Sequence, residues 1–305
     1  MSSIRILKRI PLSTLSTFAI GGTAETVYRV NNRPHLLEVL DNLDLKKTPF
    51  RIFAAGSNIV FPDKGISLPL VQLTAGTLEK RGREVYAEAG LSLASLVRFY
   101  IQNGFAGMES FSGIPGSVGG AVVGNAGAYG KSISDYIIKV EVWHNGRLKT
   151  LSRAACNFSY RHSLFKELPM VVLGVLLKAE TGNRKELLKI SRKIISTRHL
   201  KYKPGLKCPG SFFKNIPVEQ ASEKLLGKID NRKIKGGKIP TGYLLESVGA
   251  KGLTVGDIAI ADYHGNLFIN KGRGTEKQVR QLAEMLKERV KKEYGLILEE
   301  EIRYF

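Results

Sequence analysis

The stretch that decides the fold of this chain is FSGIPGSVGGAVVGNAGAYG, which spans residues 111–130. It places a glycine at nearly every third position and contains no charged side chain. Glycine loses more backbone entropy on folding than any other residue, so such a run destabilises a protein unless its backbone freedom is needed. Either another group approaches the backbone closely here, or the chain adopts dihedral angles that a Cβ atom would forbid.

The glycine run is too poor in large apolar side chains to be a transmembrane helix. Gly116, Gly120 and Gly124 do form a tandem G-x-x-x-G pattern, which is found in packed membrane helices. Pro115, Asn125 and the serines interrupt the segment, however, and such a composition gives no favourable transfer into lipid. We therefore exclude a membrane-spanning role for the run.

The end of the run resembles a phosphate-binding P-loop. The segment NAGAYGKS, Asn125–Ser132, departs from G-x-x-x-x-G-K-[ST] only at its first position. A P-loop must be followed by a helix whose amides hold the phosphate. The residues that follow instead alternate between apolar and polar around Asn145-Gly146, which predicts a β-hairpin. The context therefore argues against a P-loop.

Two interpretations of the run remain open from the residues alone. One is tight packing of a strand, a turn and a second strand. The other is a cradle of consecutive turns whose bare amides face the pyrophosphate of a flavin or another nucleotide. No G-x-G-x-x-G lies between a strand and a helix, so a Rossmann cradle is excluded. The pyrophosphate interpretation needs a second glycine turn, and AAGSNIVF at residues 54–61 supplies a candidate.

The whole chain has 305 residues, which indicates two or three domains. Its formal net charge of +20 is consistent either with solubility or a host whose proteins are generally basic, or with a polyanionic partner. Lysine and arginine are scattered rather than gathered into one arm, which favours several phosphorylated small molecules over nucleic acid. A nucleic-acid-binding protein is suggested only by the charge and by the basic segment 185–203. It would need exposed aromatic residues or a base-reading motif, and the sequence shows neither.

The cysteines and histidines predict neither a disulfide framework nor a metal site. Cys156 and Cys208 are the only cysteines, and the five histidines are dispersed. The N-terminal fifteen residues have no apolar core long enough for a signal peptide, so we expect a cytoplasmic protein.

Periodicity and capping residues predict the order of the elements. The chain should begin with a β-α-β unit, in which a helix from Arg33 with Pro34 in its first turn joins two strands. Ser92 should cap the next helix. The composition changes after Lys203-Pro204, which indicates a domain boundary. Further predicted elements are a strand at 170–180, a basic helix at 184–201 and a C-terminal helix at 275–294, with Val279, Leu282, Leu286 and Val290 on one face.

Taken together, the two glycine segments and other motifs resemble the UDP-N-acetylenolpyruvoylglucosamine reductases, FAD enzymes of peptidoglycan precursor synthesis. The resemblance runs nearly end to end, in the order and spacing of that family. The short interval between YRHSLFK and GSFFKN resembles the type II subclass, and Ala54 stands where the family usually has glycine. The motifs are TFAIGGTAE, AAGSNIVFPDKGI, GIPGSVGGAVVGNAGAYG, FSYRHSLFK, GSFFKN, GYLLESVGAKGLTVGDIAIADYHGNLFIN and LEEEIR.

The resemblance implies an α+β fold in three parts. Two subdomains would form an FAD-binding fold of the vanillyl-alcohol-oxidase type, and a C-terminal α+β domain would bind the substrate. We expect the first subdomain at 1–70, joined by a C-terminal strand at 299–305. The second subdomain is expected at 71–203 and the substrate-binding domain at 204–298.

The implied reaction reduces an enolpyruvyl ether to a lactyl ether, which converts UDP-N-acetylglucosamine enolpyruvate to UDP-N-acetylmuramate. NADPH is the implied co-substrate and non-covalently bound FAD the cofactor. Hydride addition places negative charge on the α-carbon and the carboxylate of the substrate, and preorganised donors must stabilise that charge. A proton must then reach the α-carbon. The resemblance implies no nucleic acid and no membrane insertion, and we expect a monomer.

The resemblance assigns three catalytic residues. Arg161 is expected to hold the substrate carboxylate with two parallel hydrogen bonds. Glu301 is expected to share the carboxylate site and, when protonated, to donate a hydrogen bond to the developing charge. Ser211 is expected to donate the final proton to carbon. Alternation alone would place Glu300 on one face and Glu299 and Glu301 on the other, so spacing cannot choose among the three glutamates.

The same matching assigns the binding residues. Asn215 and Lys251 are expected to contact the diphosphate or sugar of the substrate, and Tyr160 is expected near the nicotinamide and the substrate. The flavin cradle is expected to comprise Gly56, Ser57, Asn58, Gly113, Pro115, Gly116, Gly119, Gly120, Asn125 and Ala126.

A second hypothesis is another FAD-linked oxidoreductase of the same fold, such as an oxidase of a sugar or a hydroxy acid. Oxidases of this kind often attach their flavin covalently through a histidine or a cysteine in a cradle. Neither glycine segment contains either residue.

Overall fold

The computed structural model describes residues 4–305, and the chain divides into two compact units. Unit 1 comprises residues 4–10, 24–55 and 67–200. Unit 2 comprises residues 11–23, 56–66 and 201–305. Two short early segments therefore belong with the C-terminal part of the chain, a feature that the sequence does not predict. The finer division at 70, 203 and 298 stays a prediction.

The helices number seven among the described residues, besides short 3₁₀ turns. The longest are α4 and α7, and α3 lies inside the glycine run. Their bounds are α1 Arg33–Leu45, α2 Leu93–Gln102, α3 Val118–Val123, α4 Arg184–Lys201, α5 Glu223–Leu226, α6 Thr241–Ser247 and α7 Glu276–Tyr294. The 3₁₀ turns are Leu12–Thr14, Met108–Phe111, Ile133–Asp135, Ala154–Cys156, Leu164–Lys166, Val218–Gln220 and Asn231–Lys233.

The strands number twenty within residues 4–305, and many of them are short. They are β1 Arg5–Pro11, β2 Thr23–Val30, β3 Arg51–Phe53, β4 Ile59–Val60, β5 Leu70–Leu73, β6 Leu78–Arg81, β7 Glu84–Glu88, β8 Phe105–Ala106, β9 Gly127–Ala128, β10 Lys131–Ser132, β11 Ile137–His144, β12 Arg147–Ser152, β13 Val171–Lys178, β14 Glu180–Thr181, β15 Ile216–Pro217, β16 Lys238–Ile239, β17 Thr254–Val255, β18 Ile258–Ile260, β19 Phe268–Asn270 and β20 Arg303–Tyr304.

The first sheet of unit 1 has the strand order β1-β2-β5-β3. β2 and β3 both run parallel to β5, and α1 connects β2 to β3. The predicted β-α-β unit is therefore present, but β5 is inserted between its two strands. Asn32 caps α1 through a bond from the amide of His35, and Leu36 and Leu40 are buried.

The second sheet of unit 1 is antiparallel, with the order β12-β11-β13-β7-β6. The predicted hairpin joins β11 to β12, and both turn residues have positive φ, 50° at Asn145 and 69° at Gly146. Positive φ at both central positions defines the type I′ turn for which Asn-Gly is preferred. The predicted β-hairpin that argued against a P-loop is therefore confirmed.

Helix α3 is a feature that neither interpretation of the glycine run included. Ser117 caps the helix by accepting a bond from the amide of Gly120. Val118 and Val122 are fully buried in the core of unit 1. Glycine is the poorest helix former apart from proline, so the sequence gives no signal for this helix. The cap and the buried valines stabilise it instead.

Unit 2 packs α7 over the three-stranded sheet β17-β18-β19. The four apolar residues predicted on one face of the helix are all fully buried, as expected: Val279, Leu282, Leu286 and Val290. Thr275 caps α7, and the carboxylate of Asp63 accepts bonds from the amides of Glu276 and Lys277 at 2.8 and 3.1 Å. The strand β20 runs parallel to β4, so the predicted C-terminal strand pairs with a segment near residue 60.

None of the helices in the described part of the chain is both long enough and apolar enough to cross a membrane. Over the same residues, no three or more histidine, cysteine, aspartate or glutamate side chains are grouped so that they could hold a metal ion. Cys156 is buried and Cys208 is half-buried, and both are free thiols.

Candidate active site

Two backbone amides just before helix α3 have no hydrogen-bond acceptor among the described residues. Gly113 and Gly116 have φ values of +73° and +124°, which side-chain-bearing residues rarely adopt. Within residues 4–305, no group accepts a hydrogen bond from the amides of Gly116 and Ser117. Ser117 is 6% exposed, and a nearly buried amide without an acceptor is rare in a folded protein. These two donors are available to an anionic ligand.

The neighbouring residues Gly119 and Gly120 differ in what surrounds them. The amide of Gly119 donates to the carbonyl of Ala89 at 2.9 Å, and a Cβ atom at Gly119 would lie 2.8 Å from the Cβ of Ala89. Gly119 is therefore required for the packing of α3 on the end of β7. Gly120 is exposed, and a Cβ atom there would meet only the Ser117 hydroxyl, at 3.4 Å. Only Gly120 leaves open space on the accessible side of α3.

Asn125 uses its side chain to join the glycine run to the turn that carries Arg161. Its amide nitrogen donates to the carbonyl of Ser159 at 2.7 Å, and its oxygen accepts from the amide of Ser134. Both ends of the side chain are thus occupied, and Asn125 is 5% exposed. The structure gives Asn125 a positioning role that the sequence did not reveal. Ala126 is similarly engaged through its backbone, by Ala121 and Ile133.

Arg161 lies in a tight turn with a strained backbone. Ser159 and His162 exchange two backbone hydrogen bonds, and Arg161 between them has a φ of +54°. Lys166 fixes this turn by donating to the carbonyl of Arg161 at 2.8 Å. A non-glycine residue in the left-handed region costs about 1 kcal/mol or more, and such residues cluster at functional sites.

The guanidinium of Arg161 lies near the ring of Tyr160 and near Gly127. Its central carbon is 5.8 Å from the ring centre of Tyr160, and both side chains are half-buried. A Cβ atom at Gly127 would lie 3.7 Å from one terminal nitrogen of Arg161. A guanidinium held in this way presents a planar pair of donors, the geometry that a carboxylate matches.

The second glycine turn lies in unit 2 and supports the C-terminal strand. Gly56 has a φ of +61°, and a Cβ atom there would lie 2.2 Å from the carbonyl oxygen of Leu15. Asn58 donates from its side chain to the carbonyl of Glu301 at 3.0 Å and accepts from the amide of Arg303. The side-chain amide nitrogen of Asn58 therefore holds the segment around Glu301, just before β20.

Ser211 is held by two phenylalanines that follow it. Phe212 stacks on Phe268 with ring centres 3.7 Å apart, and both Phe212 and Phe213 are buried. The amide of Phe212 donates to the carbonyl of Asn266 at 3.2 Å. These contacts fix the backbone next to Ser211, which is itself only half-buried.

The three consecutive glutamates have different surroundings. Glu299 pairs with Lys214 at 2.8 Å and Glu300 pairs with Lys287 at 2.7 Å, so two of the carboxylates form structural ion pairs. The amide of Glu301 donates to the carbonyl of Phe212 at 2.7 Å. The structure therefore brings the backbone of Glu301 beside the Ser211 segment, which the sequence alone could not decide.

The predicted substrate-binding residues of unit 2 each have an internal partner. The side-chain oxygen of Asn215 accepts from the amide of Thr241 at the start of α6, at 3.2 Å. Lys251 pairs with Glu246 at 2.9 Å. Burial acts to raise the pKa of Glu246, but hydrogen bonds from Lys251 and from the amide of Gly265 outweigh it and leave the pKa below its ordinary value. Glu246 thus holds Lys251 in a defined position.

His264 lies in the same region, beside Glu246, and no motif of the sequence indicated it. Its Nδ1 atom lies 3.5 Å from Glu246, and its Nε2 atom is buried without a hydrogen-bond partner among residues 4–305. A Cβ atom at Gly242 would lie 2.6 Å from the imidazole ring. A lone histidine in a loop carries no sequence signal for such a position, because only the folded chain brings it beside Glu246.

We expect His264 to make unfolding easier at mildly acidic pH. Burial, followed by the charge of Lys201, lowers the pKa of His264 from 6.5 to about 4. Between these values the unfolded chain binds a proton that the folded chain does not, so the free energy of unfolding falls as pH falls. A shift of that size corresponds to about 3 kcal/mol.

Urea unfolding at about pH 6.5 and about pH 4, the two pKa values, measures this loss. His264→Gln should lose distinctly less stability than the unchanged protein between the two conditions, because glutamine does not titrate. Equal losses in the two proteins would show that His264 binds its proton equally well in both states.

The predicted site residues divide between the two units, and internal contacts connect some members within each unit. In unit 1 Asn125 joins the glycine run to the Arg161 turn. In unit 2 the backbone of Glu301 is bonded to both Asn58 and the Ser211 segment. Unit 1 carries Gly113, Pro115, Gly116, Gly119, Gly120, Asn125, Ala126, Tyr160 and Arg161, and unit 2 carries Gly56, Ser57, Asn58, Ser211, Asn215, Lys251 and Glu301.

Comparison with known proteins gives the family of the chain. The family model of an FAD binding domain matches residues 24–152, and that of the UDP-N-acetylenolpyruvoylglucosamine reductase C-terminal domain matches residues 201–305. The reductase of that name from Solibacter usitatus is 34% identical over 295 residues, covering 96% of this chain and 95% of that protein. The one from Caldanaerobacter subterraneus is 32% identical, with 96% and 91% covered.

A solved structure shows the same fold over nearly the full length. The crystal structure of UDP-N-acetylenolpyruvylglucosamine reductase from Thermus caldophilus has a TM-score of 0.77 and 29% sequence identity, and the match covers 99% of this chain and 100% of that one.

The fold and the FAD binding domain define a flavoprotein of the α+β class, with the FAD-binding fold expected from the sequence. Its cofactor is FAD, as the resemblance implied. The chain belongs to the UDP-N-acetylenolpyruvoylglucosamine reductase family.

Proposed function

We propose that this chain is an FAD-dependent enzyme that uses NADPH to reduce UDP-N-acetylglucosamine enolpyruvate to UDP-N-acetylmuramate. Nearly full-length similarity to proteins named for this activity carries the proposal. The reaction serves peptidoglycan precursor synthesis. A monomeric state and a cytoplasmic location belong to the same proposal and rest on the sequence alone.

The residues of unit 1 fit the pyrophosphate of FAD. Two amides without acceptors, at Gly116 and Ser117, precede a helix in which Gly120 is exposed and bears no side chain. Backbone amides in glycine turns are well suited to bind phosphate oxygens. Gly56 to Asn58 would supply the second glycine turn. When bound and reduced by NADPH, FAD supplies the hydride that the substrate accepts.

Arg161, Glu301 and Ser211 carry the chemistry that the protein itself provides in this proposal. Arg161 binds the substrate carboxylate and stabilises the negative charge that develops on it. Glu301 donates a hydrogen bond to the same charge when it is protonated. Ser211 then gives its hydroxyl proton to the α-carbon, which is basic enough at that stage to accept a proton from an alcohol.

Anaerobic mixing of the flavin-loaded protein with NADPH, and then with the enolpyruvyl sugar nucleotide, tests this function. We expect NADPH to bleach the visible flavin absorbance and the sugar nucleotide to restore it. A protein that is bleached but is not reoxidised by this substrate would contradict the proposed substrate. A purified protein without any flavin, even after incubation with FAD, would contradict the cofactor assignment.

We expect Gly120→Val to separate flavin binding from folding. The valine side chain enters open space in the apoprotein, and glycine is a poorer helix former than valine, so apoprotein stability should change little. The same side chain blocks the approach of the pyrophosphate, so the flavin content per chain should fall severely. Flavin absorbance and thermal melting measure the two effects.

Gly119→Ala is the matched control for this experiment. Its Cβ atom meets Ala89 at 2.8 Å, so the variant should lose stability because helix α3 can no longer pack closely. Full flavin content in folded Gly120→Val protein would show that the exposed side of α3 does not face the cofactor.

A further inference from the structure

The hydroxyl group of Ser211 lies 2.8 Å from the hydroxyl group of Tyr202. Both residues belong to unit 2 and both are half-buried. We propose that Tyr202 is a positioning residue for Ser211, which orients the serine hydroxyl and returns its proton after each turnover. This inference rests on the proposed role of Ser211 as the proton donor.

Hydrogen-bond geometry gives Tyr202 its orienting role. When the phenol donates to the serine oxygen, the serine proton is directed away from the tyrosine and is available to another acceptor. The backbone on the far side is already fixed, because Phe212 is stacked on Phe268 and bonded to Asn266. Tyr202 therefore restrains the side chain of Ser211, because the contacts of Phe212 fix only the neighbouring backbone.

The proton balance explains why a phenol suits this position. As the O–H bond of Ser211 breaks, a C–H bond forms at the α-carbon of the substrate, and the serine would be left as an alkoxide. The phenol O–H of Tyr202 then breaks and the serine O–H is restored. A phenol is a stronger acid than an aliphatic alcohol, so this transfer is downhill. The phenolate recovers its proton from solvent water.

Lysine side chains lie against the rings of Tyr202 and of its neighbour Tyr263. The ammonium of Lys201 lies 5.0 Å from the centre of the Tyr202 ring. Lys203 lies 4.9 Å from the ring of Tyr263, a neighbour of Tyr202. The contact with Lys201 holds the Tyr202 ring in the position from which its hydroxyl reaches Ser211.

Tyr202→Phe tests the inference, because phenylalanine keeps the ring and its contact with Lys201. In the flavin-loaded protein we expect bleaching by NADPH and the affinity for the sugar nucleotide to stay unchanged. Reoxidation by the sugar nucleotide should slow by about 10–100-fold, which is less than a direct proton donor is worth. It should also show a larger solvent deuterium isotope effect, since proton delivery then limits the rate.

Tyr294→Phe is a matched control. Tyr294 also bonds a serine hydroxyl, that of Ser247 at 2.6 Å, and also lies near a lysine, Lys228 at 5.7 Å from its ring. It belongs to unit 2 but not to the proposed site. This variant should leave both half-reactions unchanged.

A double-mutant cycle with Ser211→Cys separates proton relay from packing. A thiol is a stronger acid than an alcohol and can give up its proton without a phenol to replace it. Tyr202→Phe should therefore have little effect on the reoxidation rate in the Ser211→Cys background. An equal slowing in the serine and cysteine backgrounds would mean that Tyr202 only supports the local structure, and would overturn the inference.

The remaining outcomes distinguish this inference from the proposed function. If Ser211→Ala slows reoxidation but Tyr202→Phe does not, the relay is wrong and the role of Ser211 stands. If Ser211→Ala affects neither half-reaction, the role of Ser211 itself is wrong, and the inference fails with it.

Discussion

In Ser211→Ala, NADPH should bleach the bound flavin at a nearly normal rate, while reoxidation by the enolpyruvyl substrate slows by about 10²–10⁴-fold. The hydroxyl is needed only after hydride has reached the substrate, so the first half-reaction does not require it. Without the proton, the addition leaves a high-energy carbanion that returns its hydride. Stopped-flow absorbance of the flavin, recorded separately for each half-reaction, measures both rates.

Two further variants control this experiment. Ser211→Cys should recover part of the loss, because a thiol is more acidic and occupies nearly the same position. Ser247→Ala removes another serine hydroxyl of unit 2 that is bonded to a tyrosine, and it should leave both rates normal. Slow bleaching with normal reoxidation in Ser211→Ala would instead place Ser211 at the nicotinamide.

In Arg161→Lys, we expect kcat/KM for the enolpyruvyl substrate to fall by about 10²–10³-fold while FAD remains bound. Lysine keeps the positive charge but cannot present two parallel donors to a carboxylate. Arginine and lysine both carry a Cβ atom, so the φ of +54° at this position costs the same backbone strain in both proteins and does not affect the comparison. Steady-state kinetics and the flavin content of the purified variant test the two parts.

Arg153→Lys is the matched control in unit 1. The Nε atom of Arg153 donates to the carbonyl of Ser134 at 2.6 Å, which is a structural role on an exposed side chain. Its replacement should leave kcat/KM nearly unchanged. Near-normal turnover by Arg161→Lys, comparable to that control, would mean that Arg161 also has only a structural role.

Local signals in the sequence predicted the secondary structure correctly wherever a short segment determines its own conformation. Ser92 caps the helix that follows it, as its position before the apolar periodicity predicts. Asn145-Gly146 forms the predicted hairpin turn because both residues tolerate positive φ. The periodic apolar face of α7 is buried as expected.

Local signals failed where distant contacts determine the conformation. Helix α3 forms despite its glycines, since Gly119 allows it to approach Ala89 closely. The insertion of β5 between β2 and β3 depends on strand pairing over long sequence separations. Segments 11–23 and 56–66 belong to unit 2 because they contact residues far from them in sequence, which local signals do not predict.

The sequence by itself determined the family, the FAD cofactor and the identity of the motifs, because motif order and glycine positions are properties of the chain. Only the tertiary structure decided what each motif residue contacts. It gave Asn58 and Asn125 positioning roles. It also showed that Lys214 and Lys287 form ion pairs with Glu299 and Glu300. It also brought Tyr202 to the hydroxyl of Ser211. Hydrogen bonds and ion pairs depend on distances of a few ångströms between groups far apart in sequence, and folding alone sets those distances.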